Sequence, residues 1–309
     1  MSMKKYNISE QFKQISWFTP PLNRLTMLLA KMVLKPPKGF LKTKEASVAE
    51  VKIDGYNKGK IQLFVIAPKG NNTTNCLVYF HGGGFVYEAF YYHYLYALRY
   101  AKECNCKVIF VNYRLLPKYN YPYPHQDCFN AYKWVINNAD KLKIDINNIG
   151  VAGDSAGGNL AAAVCLLARD NNIIMPKFQL LIYPFLDTTL TSESAKKYTD
   201  TPVWNSSLSK KLSKKYFPKQ DSLNLQYLSP VTVKDLSNLP PAYIETAEFD
   251  SLRDDGINYA NKLAKNGIEV ELNNTIGTIH GYDMIVDAPI TQDSLKKRIE
   301  YINKMFKNK

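Results

Sequence analysis

Short apolar runs alternate with helix-like stretches along most of the chain, and this alternation constrains the fold most strongly. The runs are apolar on both faces, so they are expected to be buried strands of a largely parallel sheet with helices on either side. This is an α/β fold built in three layers. The predicted strands are 48–53, 61–67, 76–80, 107–111, 148–152, 178–183, 241–246 and 268–272, and the predicted helices are 92–103, 126–139, 157–169, 254–266 and 293–307.

Two segments interrupt the alternation and divide the chain into domains. Residues 1–45 carry apolar positions at helical spacing between two proline-rich breaks, which predicts an N-terminal helical cap segment. Residues 185–235 contain no predicted strand and are rich in Ser, Thr, Lys and Pro, as is typical of a second cap or lid insertion. The main domain is then 46–184 and 236–309, and the caps are expected to cover the carboxyl edge of its sheet, where open α/β sheets bind ligands.

The composition limits the classes of protein that fit. Lys and Arg number 40 against 27 Asp and Glu, but the lysines are scattered and no nucleic-acid-binding motif accompanies them, so no nucleic-acid partner is predicted. No apolar run reaches the about 20 residues that span a bilayer, so no integral membrane association is predicted. The five cysteines lack the paired spacing of a zinc site, so no metal site is predicted. The N-terminus is polar and shows no signal-peptide pattern, which together with the unpaired cysteines favours a cytoplasmic protein.

The pentapeptide Gly153-Asp154-Ser155-Ala156-Gly157 lies between a predicted strand and an alanine-rich helix. Strand, tight turn and helix form the context of a nucleophile elbow. There the serine occupies a strained turn, and the two flanking glycines let neighbouring backbone pack closely. The position of this motif predicts Ser155 as a nucleophile.

The sequence His81-Gly82-Gly83-Gly84-Phe85 directly follows the predicted strand 76–80. Consecutive glycines expose backbone N–H groups, which can stabilise the oxyanion of a tetrahedral intermediate. A phosphate-binding loop is not favoured, because neither known glycine-rich phosphate motif is present. Together with the elbow, this loop is the pattern of lipases and esterases.

A serine nucleophile needs a base, and the chain contains four histidines. His81 belongs to the glycine loop. His93 lies among tyrosines and His125 begins a predicted helix, so these two are predicted to be structural or surface residues. His280 lies in a loop after the last predicted strand, 268–272, from which a side chain can reach over the sheet edge. His280 is therefore the predicted base.

The acid that orients the base should follow a strand between Ser155 and His280. Glu248 and Asp250 follow one such strand and Asp187 follows another, and spacing alone leaves all three open. The chain order serine, acid, histidine is that of α/β-hydrolases and differs from the orders in chymotrypsin-like and subtilisin-like proteases.

Several motifs in the same order resemble those of the hormone-sensitive lipase-like esterases, the bacterial group IV of α/β-hydrolases. The resemblance covers about residues 60–290. The motifs are His81 to Phe85, Tyr113-Arg114-Leu115 with Pro117, Gly153 to Asn159, Leu239-Pro240-Pro241-Ala242, Thr246 to Asp250 with Leu252-Arg253-Asp254, and Gly277 to Gly281. The resemblance implies an α/β-hydrolase fold with a mostly parallel sheet of about eight strands, flanking helices and a helical cap.

By this resemblance, Ser155 is the nucleophile, Asp250 the acid and His280 the base. The N–H groups that stabilise the oxyanion are implied to be those of Gly83 and Gly84 in the glycine loop and of Ala156, the residue after the serine. The family's usual residues are replaced at three positions, by Lys118, Ser251 and Tyr282. These departures concern substrate fit and loop rigidity, because none of them removes a catalytic atom.

The implied function is a serine carboxylesterase that hydrolyses short- to medium-chain acyl esters through a covalent acyl-enzyme. Its partner is a small-molecule ester, it needs no cofactor or metal, and it is a monomer or a homodimer. Two alternatives share the chemistry, namely an acetyl esterase or deacetylase and an amide hydrolase acting on a specific small molecule. A non-catalytic small-molecule-binding protein and a lipase acting at membrane surfaces are the alternatives from other classes, and the intact Ser155, Asp250 and His280 argue against the former.

Overall fold

A twisted sheet with helices on both faces forms the body of the protein in a computed structural model, which describes residues 5–70, 72–217 and 225–307. Within these residues the sheet has eight strands in the order β1-β2-β4-β3-β5-β6-β7-β8. Strand β2 pairs antiparallel with β1 and β4, and all other pairs are parallel. The strands are β1 Ala46–Asp54, β2 Lys60–Pro68, β3 Cys76–Phe80, β4 Lys107–Asn112, β5 Ile149–Asp154, β6 Gln179–Ile182, β7 Ala242–Phe249 and β8 Val270–Ile279. The predicted α/β fold and its mostly parallel sheet are confirmed.

The helices connect successive strands and cover both faces of the sheet. They are α1 Arg24–Val33, α2 Tyr91–Glu103, α3 Tyr123–Asn137, α4 Ala139–Leu142, α5 Ala156–Asp170, α6 Glu193–Lys197, α7 Ser206–Tyr216, α8 Arg253–Lys265 and α9 Pro289–Lys307. Short 3-10 helices occupy Glu10–Phe12, Phe40–Lys42, Leu225–Tyr227, Pro230–Thr232 and Tyr282–Met284.

Two hydrophobic cores lie on opposite faces of the sheet. Successive side chains of a strand point to opposite faces, so Val78 and Phe80 of β3 join the core beneath α5, whereas Leu77 and Tyr79 join the core beneath α2. Every side chain of β3 and β5 is buried, as the apolar runs predicted. Helix α5 is buried from Ala156 through Ala168 because its small residues let the sheet and neighbouring helices approach closely.

The end of the last strand differs from the sequence prediction. Strand β8 continues to Ile279, well past the predicted end at residue 272. The added residues include Asn273, Asn274 and Thr275, which pair with β7 although they are polar. A strand at the sheet edge has one side open to solvent, so polar side chains do not exclude it from the sheet. His280 therefore follows the strand directly and is not carried by a loop.

The two predicted cap segments meet above the carboxyl ends of the strands. In the first, α1 is the principal helix; in the second, α6 and α7 are present and the described residues 185–217 and 225–235 contain no strand. The backbone N–H of Val203 donates to the carbonyl of Phe18 at 2.6 Å, which joins the two segments directly. None of the helices in the described ranges combines the length and apolar character that a bilayer crossing requires.

Candidate active site

Ser155 occupies a strained turn between β5 and α5. Its backbone angles are φ 54° and ψ −118°, a conformation that L-residues rarely adopt. A Cβ atom on Gly153 would lie 2.2 Å from the carbonyl oxygen of Gly157, and a Cβ atom on Gly157 would lie 2.0 Å from that of Phe80. Both positions therefore require glycine. Ala156 is the first residue of α5, where helix geometry leaves the N–H without an intrahelical acceptor.

The structure brings together three side chains from the ends of three strands. The Nε2 atom of His280 lies 2.8 Å from Ser155 Oγ, and its Nδ1 atom lies 2.7 Å from Asp250 Oδ2. A carboxylate can only accept, so Nδ1 carries the proton and Nε2 is free to accept the serine proton. Asp250 is fully buried, and its other oxygen accepts the N–H of Leu252 at 2.9 Å. The imidazole is thus held in the tautomer that a general base needs.

The other two candidate acids serve local structure. Glu248 accepts the backbone N–H of Gly277 at 2.7 Å and so connects β7 to β8. Asp187 accepts the N–H and the hydroxyl of Thr189, both at 2.8 Å. Of the three carboxylates that spacing left open, Asp250 is the one in contact with the ring of His280.

The glycine loop presents two N–H groups beside Ser155. The His81 Nδ1–H donates to the carbonyl of Gly82 at 2.7 Å, and the Gly83 carbonyl accepts two N–H groups from the following turn. In a trans peptide the N–H points opposite to the carbonyl, so these bonds orient the N–H groups of Gly83 and Gly84. Neither N–H has a partner within the described residues, and both glycines line the same cavity as Ser155. The loop is therefore prepared to bind an anionic oxygen.

Asp154 joins the glycine loop to the elbow. Its Oδ1 accepts the hydroxyl of Tyr79 at 2.8 Å and the N–H of Gly82 at 3.1 Å, and its Oδ2 lies 3.0 Å from His93 Nε2. The N–H of Phe90 donates to His93 Nδ1, so the Nε2 proton is donated to Asp154. Burial works to raise the pKa of Asp154, but these partners hold it below its ordinary value. Sequence reasoning assigned no role to this aspartate, although its place inside the elbow motif was a usable signal.

His81 and His125 are structural residues in the core. The His81 ring stacks on Tyr113 with centroids 4.6 Å apart, and burial lowers its pKa to about 3. The Nε2–H of His125 donates to Asn159 Oδ1 at 2.8 Å, and burial lowers its pKa to about 4. Both rings are neutral at physiological pH, and their hydrogen bonds go to Gly82 and Asn159.

A buried ionic cluster supports the turn that follows His280. Arg298 of α9 is fully buried and donates to Glu245 at 2.5 Å and to Asp283 at 2.9 Å. The hydroxyl of Tyr183 donates to the same Asp283 at 2.5 Å, and its ring contacts the His280 ring edge-on with centroids 4.9 Å apart. Sequence reasoning missed this cluster. The one sequence feature that could have indicated it is Arg298, which lies among the apolar positions of the C-terminal helix.

A cavity of about 270 Å³ opens beside Ser155 and His280, and its wall is mostly apolar. Residues from both predicted cap segments contribute to it together with residues at the strand ends, so the cavity lies at the carboxyl edge where the sequence predicted a ligand site. The wall residues from these two segments are Phe18, Pro20, Pro21, Thr26, Ala30, Leu34, Val203 and Trp204. None of these was identified from the sequence.

Comparisons with known proteins agree with this fold. A family model described as alpha/beta hydrolase fold matches residues 77–284. An arylesterase of Saccharolobus solfataricus is 34% identical over 260 residues, covering 84% of this chain and 82% of that protein. A carboxylesterase of Mycobacterium tuberculosis is 36% identical over 253 residues, covering 81% and 79%. A solved structure titled bacterial heroin esterase superposes with a TM-score of 0.87 at 27% identity, covering 97% of this chain and 98% of that one.

The family model spans more than half of the chain, and the two relatives align over most of its length. The resemblance to the hormone-sensitive lipase-like esterases, stated above from the motifs alone, is thereby confirmed. The chain belongs to the α/β-hydrolase fold family.

Proposed function

We propose that this protein is a serine carboxylesterase that hydrolyses short- to medium-chain acyl esters through a covalent acyl-enzyme. The observation that carries the proposal is the continuous chain of hydrogen bonds from Ser155 through His280 to Asp250, at 2.8 and 2.7 Å, beside an apolar cavity. The esterase names of the relatives support it independently.

In the first half of the reaction, Ser155 attacks the ester carbonyl while His280 Nε2 accepts its proton. The buried Asp250 carboxylate stabilises the imidazolium that forms. The carbonyl oxygen becomes an oxyanion, which the N–H groups of Gly83, Gly84 and Ala156 stabilise without reorganising. His280 then donates the proton to the leaving alcohol, and the acyl group remains bound to Ser155.

In the second half, water takes the place of the alcohol. His280 accepts a proton from the water as it attacks the acyl carbonyl, and the same N–H groups stabilise the second oxyanion. Collapse of this intermediate returns the proton to Ser155 and releases the carboxylic acid. All the proton transfers use one histidine, so the chain's own residues account for the whole cycle.

The cavity supports a small substrate. A volume of about 270 Å³ lies just below the lower end of the usual range for ligand pockets, about 300–1,000 Å³. In this proposal 46–184 and 236–309 form the catalytic domain, while 1–45 and 185–235 form the cap that limits acyl length. We also propose a cytoplasmic location, and the five buried free cysteines support it.

The test is hydrolysis of p-nitrophenyl esters from acetate to palmitate by the wild type, by Ser155→Ala and by the control Ser207→Ala. Ser207 lies on the exposed side of α7, where its hydroxyl bonds a backbone carbonyl. We expect the wild type and the control to hydrolyse the short esters. We expect Ser155→Ala to lower kcat by about 10³-fold or more.

Three results would contradict the proposal. Equal rates for Ser155→Ala and the wild type would exclude Ser155 as the nucleophile. A folded wild type that hydrolyses none of the esters would favour the small-molecule-binding alternative. An optimum at palmitate, with higher activity on emulsified glycerides than on soluble esters, would favour a lipase acting at membrane surfaces.

A further inference from the structure

The wall of the cavity beside Ser155 carries a hydroxyl group that the described part of the protein does not use. The side chain of Tyr92, in the first turn of α2, lines this cavity and is only 9% exposed. Its hydroxyl oxygen has no hydrogen-bond partner among the described residues. A hydroxyl on a cavity wall that no protein group bonds is available to form a hydrogen bond with a ligand in that cavity.

The other aromatic side chains of the wall that carry polar atoms are already engaged. The hydroxyl of Tyr87 donates to the carbonyl of Pro21 at 3.1 Å and connects the glycine loop to the cap. The hydroxyl of Tyr183 donates to Asp283 at 2.5 Å, and the indole N–H of Trp204 donates to a serine hydroxyl at 2.9 Å. These groups serve the protein's own structure, which distinguishes them from Tyr92.

The ring of Tyr92 is held in place on several sides. It stacks on Phe90 with centroids 6.0 Å apart, meets Tyr96 edge-on at 5.9 Å, and contacts the His93 ring at 4.0 Å. A fixed hydroxyl loses little conformational entropy when it binds a ligand. Burial also raises the pKa of Tyr92 well above its usual range, so the phenol stays protonated and can donate.

We propose that the Tyr92 hydroxyl is a substrate-binding group that donates a hydrogen bond to a second oxygen of the substrate, away from the carbonyl that Ser155 attacks. The preferred substrates are then small esters with an ether, keto or second ester oxygen, rather than simple hydrocarbon esters. The inference rests on the proposed function for the ester itself. A site built to bond a polar group rejects analogues that lack it, so Tyr92 contributes to specificity.

Tyr92→Phe removes only the hydroxyl oxygen, and pairs of esters of equal shape reveal its partner. One pair differs on the acyl side: p-nitrophenyl pentanoate and p-nitrophenyl 3-methoxypropanoate. The other differs on the alcohol side: butyl butanoate and 2-methoxyethyl butanoate. For the pair whose oxygen reaches Tyr92, we expect the ether-to-hydrocarbon ratio of kcat/KM to fall about 3- to 10-fold in Tyr92→Phe. Intrinsic reactivity cancels, because both proteins act on the same esters.

Tyr87→Phe is the matched control. It removes a hydroxyl from the same wall, but one already bonded to Pro21. We expect Tyr87→Phe to change kcat/KM by the same factor for the two esters of each pair. If Tyr92→Phe also changes kcat/KM by one factor for every ester, the hydroxyl acts on the shared ester group or on the fold. That result would overturn the proposal.

A binding measurement separates this inference from the proposed function. In the Ser155→Ala protein, with and without Tyr92→Phe, titration calorimetry of the same ester pairs gives affinities without turnover. A preference for one ether that disappears with Tyr92→Phe supports the assignment, even if the wild type hydrolyses no ester. Equal affinities within both pairs, or no binding of any pair, overturn it.

Discussion

Two buried neutral histidines make the stability of the folded protein sensitive to mild acid. Burial lowers the pKa of His81 to about 3 and that of His125 to about 4. In the unfolded chain a histidine titrates near pH 6.5. Between about pH 6.5 and pH 4 the unfolded state therefore binds protons that the folded state does not bind. The free energy of unfolding must fall as the pH falls through this window, and the stabilisation is fully present only above it.

The size of the effect follows from the two pKa values. At pH 5.5 each histidine carries about 0.9 of a proton in the unfolded chain and almost none in the folded protein. Each then contributes a slope of about 1.2 kcal/mol per pH unit, or about 2.4 kcal/mol per pH unit for both. Against a total stability of about 5–15 kcal/mol, such a slope is easily measured.

The assay compares the wild type with His125→Gln by urea unfolding, followed by tryptophan fluorescence, at half-unit steps from pH 7 to pH 5. Glutamine keeps a donor for Asn159, which accepts the Nε2–H at 2.8 Å in the wild type. The carboxylates titrate alike in both proteins, so the difference between the two slopes isolates His125. We expect His125→Gln to lose about half of the histidine slope, and parallel curves would refute the reasoning.

Two further predictions concern the cluster around the proposed triad. Asp250→Asn should lower kcat by about 10³- to 10⁴-fold, whereas Glu248→Gln and Asp187→Asn should stay within about tenfold of the wild type on the same ester; equal losses in all three would refute the assignment of the acid. Arg298→Met leaves two buried carboxylates without a counter-charge and should cost about 3–5 kcal/mol in urea unfolding. Adding Glu245→Gln should recover part of that loss, and no recovery would contradict the pairing.

The features that sequence reasoning could predict are those whose chemistry requires neighbouring residues. The elbow around Ser155 depends on glycines at fixed offsets, because a Cβ atom at Gly153 or Gly157 would collide with backbone. The glycine loop likewise needs consecutive residues to expose two N–H groups. Such local requirements leave a readable pattern, which is why their positions in the chain could be predicted without knowledge of the fold.

The acid and the end of β8 could not be predicted in the same way. Asp250 and Glu248 are two residues apart on the same strand end, and only the turn after β7 decides which side chain reaches His280. The polar residues at the end of β8 break the apolar pattern, but backbone pairing with β7 holds them in the sheet. In both cases tertiary geometry decides between choices that local propensity leaves equal.

The wall of the cavity shows why substrate preference is the hardest property to predict from the chain alone. Phe18, Tyr92 and Trp204 come from three distant segments and share no spacing that a pattern could detect. The chain has 22 tyrosines, and in the sequence all of them are equivalent hydroxyl carriers. In the folded structure the hydroxyls of Tyr87 and Tyr183 donate to protein groups, whereas that of Tyr92 does not. This difference is the basis for proposing Tyr92 as a binding group. The proposed substrate preference therefore rests on a polar group that the folded structure leaves without a protein partner in the cavity, which no spacing in the sequence could reveal.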